Sequence, residues 1–385
     1  MEADFVIDNG VVLTMDGPGV GERSGPVLVS QGRVVATDAP VAADAVRIDA
    51  GGRVVAPGLV DPHAHPVFAG ERSFEFALRM AGQSYEEVAA LGGGILSTVR
   101  ATRAASDEAL LGAARTRLAR MLAYGVTACE GKSGYSLDVE GEKRLLRLLR
   151  ELGCLPTLLA HVVPPEHKRE DYLRLFIEEL IPSGLAEFCD VFCDRGAFTL
   201  SETHRILEAA RAAGLGLRVH AEQLSYTGAA ELAAELGAAS ADHLEFVSPA
   251  GIEALAASGT VAVLLPGAAL TLRARWPPAR RMIDEGVTVA LGTDCNPGTS
   301  MTEALPLMMT IGCTQMGMTV EEAWRAVTVN AARSLRRDDI GRLAPGCRAD
   351  VAVFDFSDWR SLPYHFGPPL CWLVIKDGRI AYRAE

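Results

Sequence analysis

Eight short apolar runs, separated by stretches patterned as helices, constrain this chain more than any other feature. They are GLVDPHAH at 58–65, GVTACEGKSGY at 125–135, PTLLAHVVP at 156–164, FCDVFCD at 188–194, LGLRVHAEQ at 215–223, ASADHLE at 239–245, TVAVLLPG at 260–267 and TVALGTDCNPG at 288–298. Between them lie segments such as EKRLLRLLRELG, THRILEAARAAG and TGAAELAAELG, whose apolar residues recur at helical spacing. Strands alternating with helices predict a parallel α/β sheet. Eight such units predict a TIM (β/α)8 barrel over 56–339, with functional side chains at the C-terminal strand ends. A doubly wound sheet is the alternative, but it would not naturally gather eight successive strand ends around one site.

The runs end in ionisable residues. Past Pro57-Gly58 the first run empties into His63 and His65, spaced i, i+2. On extended backbone these two side chains point the same way, so both imidazoles can reach one ion. Neutral imidazole suits Zn and Fe. Run three ends in His161, run five in His220, run six in His243 and run eight in Asp294. Burying such groups is costly unless they are paired, so packing explains them poorly. Any one alone would read as structural; together, at one barrel mouth, they read as a site.

The two ends of the chain are strand-like and turn-rich. FVIDNGVVLTM carries an Asn-Gly hairpin signal, followed by VLVSQGRVVA and AVRIDAGGRVVA; CRADVAVFDF and CWLVIKDGRIAY, with an Asp-Gly turn, close the sequence. Residues 1–55 and 340–385 are expected to pair as one small β domain, the alternative being two unrelated β caps. A net charge of −12 argues against nucleic acid or an anionic membrane as partner. An anionic small substrate would need locally placed Arg or Lys. Eight scattered cysteines without a CxxC pair predict reduced thiols in the cytoplasm. Cys189 and Cys193 share a strand face but read as core thiols rather than ligands. The first residues lack a signal peptide's basic and apolar regions, and no uncharged apolar run reaches ~18 residues.

His-X-His after strand one, His after strands five and six, and Asp after strand eight resemble the metal-dependent amidohydrolase superfamily. The flanking β segments and GRLAPGCRADVAVFD resemble its accessory β-sandwich. HAHPVFAGERSFEF, YEEVAALGGGILSTVRATRAAS, EGKSGY, VHAEQ, SADHLE and TDCNPGT are more specific, and resemble the imidazolonepropionase family over nearly the whole chain. The resemblance implies metal ligands His63, His65, His220 and Asp294. It implies substrate contacts from Arg72, Tyr135, His161, Gln223, Asn296, Gly298 and Thr299, with Tyr85 as a further candidate. It also implies a homodimer and hydrolysis of the cyclic amide C–N bond of 4-imidazolone-5-propanoate, giving N-formimino-L-glutamate in histidine degradation. A mononuclear deaminase or cyclic amidase acting on another ring is the nearest rival; a metal-free scaffold is a more distant one.

In the binuclear members the fourth strand ends in a lysine bridging two ions; here it ends Cys193-Asp194, which predicts one ion, Zn2+ or Fe3+, per subunit. Lys132, after run two, reads as a solvated or locally paired lysine. Some family members carry Glu where this chain has Gln223, and an amide cannot shuttle protons. Glu222, facing the other way, reads as structural. Arg72 is expected to bind a propionate carboxylate in bidentate fashion, and Tyr135 to hydrogen-bond the carboxylate or ring. Asp294 is expected to ligate the ion and move the proton of a metal-activated water, while His243 stabilises the oxyanion. Gly92-Gly93-Gly94 lacks any phosphate-loop context and reads as a flexible loop near the mouth.

Overall fold

The computed structural model describes residues 4–39, 46–83 and 93–384. All eight expected runs form strands: Leu59–Asp61, Val126–Lys132, Leu155–Ala160, Phe188–Cys193, Gly216–Ala221, Ser240–His243, Val261–Leu264 and Val289–Leu291. They lie in sequence order in one parallel sheet. The first and last strands meet just beyond their ends. Ala64 bridges Cys295 in parallel, His63 O accepts from Asp294 N at 2.9 Å, and Cys295 O accepts from His65 N at 3.0 Å. Asp61 adds a side-chain tie, accepting from Thr293 N at 3.1 Å and from its hydroxyl at 2.5 Å. The sheet therefore closes into a barrel, and the tie falls beside His63, His65 and Asp294.

Helices cover the outside because their apolar residues fall on one face. In Val139–Glu151 the buried stripe is Leu145, Leu146, Leu148 and Leu149, and Asp138 caps the start by accepting from Gly141 N. Leu200–Ala212 begins with a reciprocal Thr199–Glu202 capping box. No described helix is long and apolar enough to cross a membrane.

The chain ends contribute to two further sheets. One has the order Arg33–Ala36, Val27–Ser30, Phe5–Asp8, Val46–Asp49; the other runs Arg379–Arg383, Cys371–Lys376, Val351–Phe354, Val54–Pro57, Val11–Leu13, Glu22–Ser24. Val351–Phe354 pairs antiparallel with Val54–Pro57, so the C-terminal segment is stitched to the N-terminal one. Ile7, Val27 and Val29 from the first sheet pack with Val12, Val55, Val353 and Leu373 from the second, making a sandwich.

The two turn signals part company here. Asp377-Gly378, both at positive φ, closes the antiparallel hairpin of the last two strands. Asn9-Gly10 closes no hairpin: Phe5–Asp8 and Val11–Leu13 belong to different sheets. The reason is burial. Ile7 and Val12 enter one buried core from two different sheets, which a hairpin joining their strands edge to edge would not allow. The crossing is tight, since a Cβ on Gly10 would lie 2.6 Å from Val55 Cγ2.

Candidate active site

Strand geometry delivers the polar residues to one place. His63, His65 and His220 are buried, and one ring nitrogen from each lies within 4.8 Å of the others. Asp294 Oδ1 stands 3.5 Å from Nε2 of both His63 and His65. The backbone here is strained: Glu222, His243, Leu244 and Asp294 all take positive φ, between 49° and 79°, although none is glycine. Each such residue costs about 1–3 kcal/mol and persists only where the surroundings hold it. They cluster at the C-terminal ends of strands five, six and eight, beside His220, His243 and Asp294.

The imidazoles are oriented from behind. His63 Nδ1 lies 2.6 Å from Asp242 Oδ2, and His220 Nδ1 lies 3.0 Å from Asp190 Oδ2. Asp242 holds the proton on His63 Nδ1 and leaves its Nε2 lone pair facing the centre, while Asp190 stands beside His220 at ion-pair distance. Buried His63 Nε2 has no hydrogen-bond partner among the described residues. Burial, aided by the Lys132 ammonium, lowers the His63 pKa to about 3, and burial lowers that of His65 too, so both rings are neutral. Burial works to raise Asp294, yet the adjoining His63 and His65 hold it well below the usual carboxylate range. Neutral imidazoles with an anionic carboxylate form a donor set that fits a metal ion.

Beneath the centre lies a layer of fully buried charge. Lys132 Nζ sits 2.6 Å from Asp190, 3.0 Å from Glu130 and 3.5 Å from Asp242. Arg218 reaches Glu130 at 3.0 Å and Asp242 at 3.3 Å. Burial works to lower Lys132, but Asp190 and Glu130 hold it above its ordinary value. Lys132 is thus paired, as one of its two expected forms had it, and not solvated: its side chain is wholly enclosed. Three carboxylates against two cations leave a net negative layer, which favours a cation above it.

A cleft of about 730 Å³ opens over the centre, lined by His65, Arg72, Tyr135, His161, His220, Gln223, His243, Asp294, Asn296, Gly298 and Thr299 among others. His63 lies just below, its ring centroid 4.6 Å from that of His220 and 5.6 Å from that of His243. His161 Nδ1 bonds Gly134 O at 3.1 Å, and burial lowers its pKa to about 3, leaving a neutral ring. Burial raises the Tyr135 phenol, so it keeps its proton. Burial would lower His243, but Glu245, 3.7 Å from its Nδ1, holds it above the ordinary histidine value. Asn296 braces the last loop: its Oδ1 accepts from Gly298 N and Thr299 N, and its Nδ2 donates to Asp294 O.

Tyr85 and Gly92 lie outside the described residues; Gly94 N donates to Glu75 at 3.0 Å. Glu222 faces away from the cleft and accepts from Ala229 N and Ala230 N at the start of the helix Ala229–Glu235. Sequence reasoning passed over Asp242, Asp190, Glu130, Arg218, Glu75 and Arg79. A signal existed for two of them: Arg218 stands two residues before His220, and Glu130 two before Lys132, on the same strand face.

A model of the Amidohydrolase family matches residues 77–382. The chain is 52% identical over 352 residues to an imidazolonepropionase of Myxococcus xanthus (strain DK1622), covering 88% of this chain and 84% of that protein. It is 45% identical over 381 residues to an imidazolonepropionase of Geobacillus kaustophilus (strain HTA426), covering 93% and 90%. Among solved structures, an adenosine deaminase from Xanthomonas campestris with bound zinc has a TM-score of 0.76 at 18% identity, covering 99% of this chain and 93% of that one. A 5-methylcytosine deaminase from Klebsiella pneumoniae has a TM-score of 0.77 at 17% identity, covering 99% and 98%. At these identities the structural likeness is one of fold.

Proposed function

We infer the reaction from the premise that this chain belongs to the imidazolonepropionase family of the amidohydrolases. It hydrolyses the ring amide C–N bond of 4-imidazolone-5-propanoate to N-formimino-L-glutamate, a step of histidine degradation. One observation carries this reading within the family's fold: the cleft joins a hydrolytic donor set on its floor to arginine cations on its wall, in a chain of net charge −12. An anionic ring substrate needs both.

His63, His65, His220 and Asp294 would hold one ion, Zn2+ or Fe3+, per subunit. When bound, the ion supplies Lewis acidity that makes water a competent nucleophile near neutral pH. Asp294, kept anionic, takes the proton that water loses as its oxygen joins the ring carbonyl carbon, then delivers it to the departing ring nitrogen. His243, kept basic enough by Glu245 to stay a donor, stabilises the oxygen that gains charge, a contribution on the order of 3 kcal/mol. Gln223 can hydrogen-bond the ring but moves no proton. Tyr135, His161, Asn296, Gly298 and Thr299 position the ring, and Arg72 engages the propionate. The chemistry resides in 56–339, with 1–55 and 340–385 as its supporting sandwich. A homodimer in the cytoplasm is the setting this family implies, consistent with eight unpaired cysteines.

Turnover of synthetic imidazolonepropionate by metal-reconstituted protein, followed by ultraviolet absorbance, tests the reading. The substrate band should disappear while guanine and cytosine remain unchanged. Consumption of either base in preference would overturn it, and metal analysis would distinguish zinc from iron.

A further inference from the structure

Four arginines, Arg72, Arg79, Arg195 and Arg273, line the cleft. Arg72 is already engaged: its Nε and Nη2 donate to Glu75 Oε2 at 2.9 and 2.7 Å. Glu75 is buried and is held in turn by Gly94 N. Arg79 lies seven residues beyond Arg72, on the helix Ser73–Met80 that Arg72 starts, so the two share a face. Its Nη2 donates to Gly298 O at 2.9 Å, a neutral partner. Its buried Nε has no hydrogen-bond partner among the described residues.

Both guanidinium groups converge on Gly298. Arg79 holds the carbonyl, and Arg72 Nη1 lies 2.6 Å from where a Cβ would stand. Among the described residues one carboxylate stands between two guanidiniums, an excess of positive charge at this wall. Burial and the like charge of Arg72 both weaken the hold of Arg79 on its proton, a strain that a bound anion relieves.

We propose that Arg79 is a second cation for the side-chain carboxylate of the substrate, clamping it together with Arg72 over the bare backbone of Gly298. Arg79 thereby becomes a specificity-determining residue that favours anionic rings over neutral ones. The proposal rests on the reading of Arg72 as the propionate contact. Carboxylate is the chemistry the arrangement suits, because a planar guanidinium offers paired donors in a fixed fork.

The test is calorimetric titration of metal-reconstituted wild type, Arg79→Gln and Arg79→Lys with imidazole-4-propionate and with its uncharged counterpart, 4-propylimidazole. Arg79→Gln should weaken the anion roughly tenfold or more and leave the neutral ligand nearly unchanged. Arg79→Lys should recover part of the loss, and KM for imidazolonepropionate should rise more than kcat falls. Equal weakening of both ligands would mark Arg79 as a mere brace for Gly298 and overturn the clamp. Undiminished binding of the anion by Arg79→Gln, in a protein whose wild type turns over imidazolonepropionate, would overturn the clamp and leave the reaction standing. A wild type with no preference for the anion would overturn the clamp and the reading of Arg72 together.

Discussion

Beneath the three histidines, Lys132 and Arg218 are wholly buried among Glu130, Asp190 and Asp242; on the cleft wall, Arg72 and Arg79 stand partly exposed, with Glu75 the one carboxylate paired to them among the described residues. The lower group is closed on itself. Each cation meets at least two carboxylates, Asp190 and Asp242 also stand against His220 and His63, and Asp242 accepts from the Ser240 hydroxyl. Among the described residues the upper group is short of anions by one. Charge that is fully paired in a low dielectric fixes geometry, because every displacement exposes an unpaired ion. Charge left short of a partner fixes nothing until a ligand arrives. One molecule thus uses the same residue types to build a rigid floor and a receptive wall, and substitutions should separate the two by what they damage.

The largest effect is expected at the point where floor and chemistry meet. Asp294→Asn keeps the shape but can no longer accept the water proton, so kcat should fall on the order of a thousandfold or more. The KM should move far less, because Arg72 and Tyr135 are untouched. Steady-state kinetics on metal-loaded protein decides it, and near-normal kcat would exclude Asp294 as the carrier of that proton.

Asp242→Asn probes the floor itself. It strips a shared charge from Lys132, Arg218 and His63 together, leaving Asp190 and Glu130 to balance two buried cations. A loss of about 3–5 kcal/mol in stability is expected. Metal affinity should weaken roughly 10–100-fold as His63 loses its orienting carboxylate. Denaturation and metal retention on dialysis read the two effects; a stable, metal-retaining variant would mean that the floor is not rigid.

A buried carboxylate without a cation behaves differently from Asp190 and Asp242. Burial raises Glu222 to about 7, against an ordinary value near 4.5. Between those values the folded chain holds a proton that the unfolded chain has released. Stability from this group is therefore full below about pH 4.5 and falls as pH climbs to about 7, by about 3 kcal/mol at most. Glu222→Gln keeps an acceptor for Ala229 N and should remove that slope. Asp61, raised by burial to about 7, should retain its own share. Chemical denaturation at several pH values measures it, and an unchanged slope would show that Glu222 ionises freely.

Much of this was legible in the sequence, and the pattern of what was not is physical. All eight barrel strands and their terminal His or Asp residues could be read, because an apolar run that ends in one ionisable group leaves a local trace. The floor left little trace. Asp190, Asp242 and Arg218 sit inside apolar strands, and their partners come from other strands: Asp190 lies beside Arg218, and Asp242 beside His220, only in the sheet's register. Lys132 shows the same limit, since a lysine read as solvated or locally paired is enclosed by carboxylates from three strands. The turns show the converse. Asn9-Gly10 and Asp377-Gly378 carry one local signal, yet only the second closes a hairpin, because the core decides which strands pair.

On the wall, Arg72→Gln removes the cation but no wholly buried ion pair. The KM for imidazolonepropionate should rise roughly 10–100-fold, with a smaller loss of stability than Asp242→Asn. Titration and melting of the same preparations compare them directly, and a stability loss equal to that of Asp242→Asn would erase the distinction between wall and floor.

The mildest test is Gly298→Ala. Gly298 is not among the positive-φ residues, so alanine brings no backbone strain, but a methyl group 2.6 Å from Arg72 Nη1 and 3.2 Å from Asn296 Oδ1. The Arg72 atom ends a flexible side chain and can retreat by tenths of an ångström. If the wall is receptive rather than locked, KM should rise only about threefold, under ~1 kcal/mol, with kcat unchanged. A penalty matching that of Arg72→Gln would mean that the guanidinium is held as tightly as the buried pairs below. The wall would then be a second floor, preorganised before the ligand arrives.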